Sequence, residues 1–115
     1  MAEAMASAKM LLGGAGATAA VGIKVARSLY ARWRLMSPRE RQLLAPLAAD
    51  TKHNALELRG AADRPAAERD LLHANETLAA AMVESAEADP EMSEIEVRRL
   101  RDELRRELER LTRGD

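Results

Sequence analysis

Two short elements of this 115-residue chain place a carboxylate three residues ahead of an imidazole: Asp50-Thr-Lys-His53 and Asp70-Leu-Leu-His73. On a helix that spacing puts both groups on one face, and Glu-x-x-His elements on facing helices hold the metals of di-iron bundles. The chemistry on offer is therefore a metal site shared between two helices, within one chain or across a dimer. Helical projection argues against it. At ~100° per residue, His73 falls with Asp70, Glu76, Glu84 and Glu87, opposite Leu71, Leu78 and Met82, while His53 falls with Asp50 and Glu57, away from Leu44 and Leu47. Both elements are expected on solvated, charge-rich faces, with no metal.

The remaining motifs carry less. Gly14-Ala-Gly16-Ala-Thr-Ala19 has the first two glycines of a dinucleotide-binding turn, without the final glycine, a preceding strand or a βαβ context. Gly22-Ile-Lys24 fails as a phosphate loop, because the spacing from Gly16 is too long and no Ser or Thr follows the lysine. Cysteine is absent, which excludes disulfides, thiolate ligands and thiol catalysis. No Ser or Thr has an evident base with an orienting acid beside it. The reading is a protein that is not an enzyme, with no cofactor and no small-molecule substrate.

What stands out instead is Met10 to Met36. An uncharged Gly/Ala-rich run to Ile23 flows into a basic segment that holds both aromatic residues of the chain, Tyr30 and Trp33, beside Lys24, Arg27, Arg32 and Arg34. Amphipathic aromatics flanked by cations suit a helix that meets a membrane surface or a protein partner. A membrane span needs ~20 predominantly apolar residues, and the uncharged run falls short of that, so an interfacial helix or a helix buried against protein is preferred. The anchoring set is Lys24, Val25, Arg27, Leu29, Tyr30, Arg32, Trp33 and Arg34. Within the same segment Leu11, Ala15, Thr18 and Gly22 repeat at alternating four and three residues, a small-residue seam that lets two helices approach closely.

These residues must be positioned by helices, because no window shows the period-two, β-branched pattern of a strand. Ser37-Pro38-Arg39-Glu40 and Ser93-Glu94-Ile95-Glu96 are capping boxes. Gly60 stops a helix, Asp63 and Pro65 start one, and Asp89-Pro90 ends it. The chain thus divides into an N-terminal helical segment, 1–36, and a three-helix region, 37–115, with helices over about 38–59, 65–88 and 94–112. Pro46 is expected to kink the second helix or restart it near Ala45, and Leu43, Leu44, Leu47 and Leu58 share one of its sides. The third helix carries the widest apolar face, including Leu71, Leu78, Ala79, Met82, Val83 and Ala86, and is expected at the centre of the core. In the last, Val97, Leu100, Leu104, Leu108 and Leu111 form a narrow stripe suited to a coiled-coil seam.

Composition sharpens the fold class. Phenylalanine is absent, and alanine, which favours helix while burying little area, is abundant. The core is therefore thin for one small domain, and self-association or docking would stabilise it. The net charge of -1 hides an asymmetry: residues 1–36 carry +4 and residues 61–90 carry -5. The reading is an all-α bundle or helical hairpin with a long N-terminal arm and a coiled-coil-like last helix. Its expected role is a non-enzymatic interaction or scaffold protein, cytoplasmic and membrane-associated through the first helix, partnered by itself, another helical protein or an anionic membrane surface. The alternative is a soluble regulatory protein that contacts nucleic acid through the cluster from Arg27 to Arg41, disfavoured by the acidic remainder.

Overall fold

A computed structural model describes residues 19–113, and among them are four α-helices and no strand. Helix α1 runs Ala19–Arg34, α2 Pro38–Glu57, α3 Arg64–Ala88 and α4 Glu94–Arg113; a 3-10 turn, Leu58–Gly60, closes α2. The expected seam residues Leu11, Ala15 and Thr18 lie outside the described residues.

The helix starts are set by local chemistry. The Glu40 amide donates to Ser37 Oγ at 3.3 Å, and the Ser37 hydroxyl donates to Glu40 Oε1 at 3.1 Å. Ser93 and Glu96 repeat the arrangement at 3.2 Å in each direction. In both, the glutamate meets the serine hydroxyl, a variant of the reciprocal box. Asp63 caps α3 by accepting from the Ala66 amide at 3.1 Å, with Pro65 in the first turn.

The restart expected near Ala45 does not occur at Pro46, which lies inside an uninterrupted α2. Proline removes a single amide donor, and both Pro46 and Gln42, whose carbonyl loses that donor, are exposed, so the carbonyl is open to solvent.

Helix α3 meets every other helix, as its broad apolar face requires, and so does α1. Helices α2 and α4 each lean on that central pair and share little contact with one another. The main core joins Val25 and Leu29 of α1, Leu44 and Ala48 of α2, Leu78, Met82 and Val83 of α3, and Leu104 and Leu108 of α4. A smaller cluster of Ala26, Leu58 and Leu71 fills the far end. Leu43, placed by sequence on the buried side of α2, is instead 65% exposed, because α2 turns Leu44 and Ala48 inward.

Two polar side chains lie inside. Thr51 donates to the Ala74 carbonyl at 3.3 Å, tying α2 to α3, and Asn75 Nδ2 donates to the Gly22 carbonyl at 3.1 Å, tying α3 to α1. Asn75 is 1% exposed, and its Oδ1 has no partner. Two backbone carbonyls thus accept an extra bond in the core, one fixing the register of α2 against α3 and the other that of α3 against α1.

Candidate functional site

Helix α1 divides its basic residues between two sides. Arg32 turns toward α4, where Nη2 and Nε both reach Glu107 Oε2, at 2.7 and 2.8 Å. Burial pushes the Glu107 carboxyl up, but the hydrogen bond and charge of Arg32, helped by Ser28 and Arg110, outweigh it and hold the group below its ordinary value. The buried Ser28 hydroxyl falls short of a well-formed hydrogen bond, yet it lies close enough to favour that charge. This side of α1 is neutralised and sealed.

The opposite side is open. Between α1 and α2 runs a groove of about 380 Å³ whose apolar lining is Ile23, Ala26, Tyr30, Ala31, Ala55 and Leu56. Its remaining lining residues are Arg27, Arg34, Lys52 and Arg59. No carboxylate among the described residues lines it. Among the described residues Arg27, Arg34 and Arg59 form no ion pair, and the Lys52 ammonium sits 5.6 Å from the centre of the Tyr30 ring, a cation-π contact. The acids of α2 point elsewhere: Asp50 lines the cleft toward α3, and Glu57 lies 3.9 Å from His53. Leu56 is 57% exposed at the groove, a large apolar side chain that the other described residues leave uncovered.

The local sequence explains the wall. Arg27 and Arg34 are seven residues apart on α1, as are Lys52 and Arg59 across α2 and its closing turn, so each pair stays on one stripe over two turns. Tyr30 and Trp33 stack at 5.2 Å with a 50° tilt, and the Trp33 indole donates to the Arg41 carbonyl at 2.9 Å, pinning the end of α1 to the start of α2.

The anchoring set is thus distributed. Val25 and Leu29 are fully buried in the chain's own core. Tyr30 and Trp33 are half-buried, while Lys24, Arg27 and Arg34 are exposed. The five arginines expected as one basic cluster divide: Arg32 pairs with α4, Arg27 and Arg34 face the groove, and Arg39 and Arg41 are exposed on the first turns of α2. The last stripe is also occupied, with Val97, Leu104 and Leu108 buried and Leu100 and Leu111 half-buried against α1 and α3. Gly22 is buried beside Asn75.

The two Asp-x-x-His elements meet in part. Asp50, Asp70 and His73 line one open cleft between α2 and α3, whereas His53 turns away toward Glu57. Among the described residues no three His, Asp or Glu side chains are grouped to hold a metal ion. Glu76, assigned by projection to the solvated face, is 7% exposed; contact with three helices leaves α3 a narrower open arc than projection gives. Sequence reasoning missed Lys52, Leu56 and Arg59 as the second wall, although the seven-residue spacing of the two cations was the available signal.

Among the described residues no helix is long and apolar enough to cross a membrane. Comparison of the chain with models of protein families, with curated proteins and with solved structures finds no match.

Proposed function

We propose that this protein is a non-enzymatic helical interaction module whose first helix, with α2, receives an acidic and partly apolar protein surface. The observation that carries this reading is the groove itself. Folding has brought four cations from two helices together beside an apolar floor, with no carboxylate among the described residues that line it. Like charges gathered this way repel one another and weaken the fold slightly; an acidic occupant removes that repulsion while covering Leu56 and Ile23.

The shape favours a protein over a bilayer. A flat lipid surface meets the cations of a groove before its concave floor, so the floor stays uncovered. The spread of cations over two helical turns also suits an occupant with several separated carboxylates rather than one anionic head.

The test uses a fluorescently labelled amphipathic peptide of Glu, Leu and Ala. Binding to the full chain is expected to weaken with salt and to fall at least tenfold in Arg27→Glu/Arg59→Glu. Vesicles containing phosphatidylserine and a duplex DNA form the other arms. If the protein binds vesicles or DNA and ignores the peptide, the reading is wrong.

A further inference from the structure

The groove has a counterpart on the same molecule. Residues 70–97 carry eight Asp or Glu and no Lys or Arg. Four of those acids, Asp89, Glu91, Glu94 and Glu96, crowd the turn from α3 into α4 around Ile95, which is 72% exposed. A helical side chain leans toward its own N-terminus, so Ile95 lies over the acidic turn, with Arg98 and Arg99 as its neighbours one helical turn further along.

That turn lies at the end of the bundle where α1 passes into α2, and Asp89 lines a cleft there with Ser37, Arg39 and Glu40. Arg101 of α4 pairs with Glu87 of α3 at 2.8 Å, and Glu40, in the first turn of α2, meets Ser85 at 3.3 Å. Glu94 shares a cleft with Glu87, Val97 and Arg101 at the end of α3, while Ile95, the next residue, stays exposed. The tip is an acidic knob with an apolar point; the groove is an apolar slot with a cationic rim.

We infer that a second copy of this chain fills the groove, inserting the Ile95 turn so that Ile95 covers the floor beside Leu56 and its flanking carboxylates meet Arg27, Lys52 and Arg59. Groove and knob lie on different parts of the molecule, since α4 packs on α1 and α3 while the groove opens between α1 and α2. The contact is heterologous, with each copy offering one knob and one groove, and it propagates into rings or filaments rather than closing as a two-fold dimer. This inference rests on the groove reading above and names its occupant.

The test is sedimentation velocity of the full chain at low salt over a range of concentrations, on wild type, an Ile95→Asp knob variant and the Arg27→Glu/Arg59→Glu groove variant. All substituted positions lie on exposed surface, and circular dichroism checks their folding. Wild type is expected to grow with concentration well beyond twice its 12.6 kDa and to dissociate in high salt. Each variant alone is expected to stay monomeric, while their equimolar mixture gives a 1:1 dimer and nothing larger, because one intact knob meets one intact groove. A wild type monomeric throughout, a variant that still assembles alone, or a mixture that fails to dimerise overturns the inference. The acidic peptide separates the two readings: if it binds a monomeric wild type, the groove stands and self-assembly falls; if it does not bind either, both fall.

Discussion

Arg32 and Arg27 stand five residues apart on one helix, and the fold treats them in opposite ways. On the α4 side Arg32 finds Glu107 at 2.7 Å, with Leu104 and Leu108 buried beneath. On the α2 side Arg27 faces Lys52 and Arg59 across an apolar floor that the described residues leave open. One side of α1 meets its complement within the chain, and the other meets none among the described residues. The difference teaches that a basic helix is not by itself an interface. What distinguishes the two sides is the charge that the facing helix supplies.

The comparison breaks most completely if the shared scaffold is removed. Leu29→Ala empties a fully buried site on the helix common to both sides, and unfolding in urea should show a loss of about 2–5 kcal/mol. Next in size, Asn75→Ala deletes the side chain that holds α3 to the Gly22 carbonyl, and the same measurement should give a loss of about 1–3 kcal/mol. A smaller effect sharpens the contrast between the two sides. The Arg32–Glu107 pair is 29% and 30% exposed, so a double-mutant cycle with Arg32→Gln and Glu107→Gln should give a coupling of about 1 kcal/mol.

That coupling carries a pH signature. The folded Glu107 value lies below its unfolded value, so its contribution is fully present above the ordinary carboxylate range and is lost as pH falls through the folded value. Thermal unfolding between neutral and strongly acid pH should therefore show less acid loss in Arg32→Gln than in wild type. Smallest of all, Arg27→Gln should leave stability within about 0.5 kcal/mol of wild type, or raise it, since it relieves repulsion and breaks no pair. A loss comparable to that of Arg32→Gln would erase the distinction between the sides.

The helices were legible because their signals are local. Ser37, Asp63, Ser93 and the stripe from Val97 to Leu108 announce where each helix starts and which way it faces, within a few residues of where they act. The groove was not legible in the same way. Its α1 wall was visible in Arg27 and Arg34, but that Lys52 and Arg59 face it depends on how α2 turns about its own axis. That rotation is set by Leu44, Ala48 and Thr51 inserting into the core. The same non-local choice exposes Leu43 and leaves Glu76 covered, both against helical projection. The pairing of Arg32 with Glu107 joins residues 75 positions apart, a separation at which no spacing rule operates.

Because α2 and α4 both lean on the central pair and barely meet, they are energetically separable. The last helix can detach by breaking two ion pairs, Arg32 with Glu107 and Arg101 with Glu87, and uncovering a single narrow stripe, while the first three helices and the groove stay assembled. Such a molecule opens in stages rather than all at once. Its α4 amides would exchange with deuterated solvent ahead of those of α3, and breaking the Arg32 clasp would widen that interval.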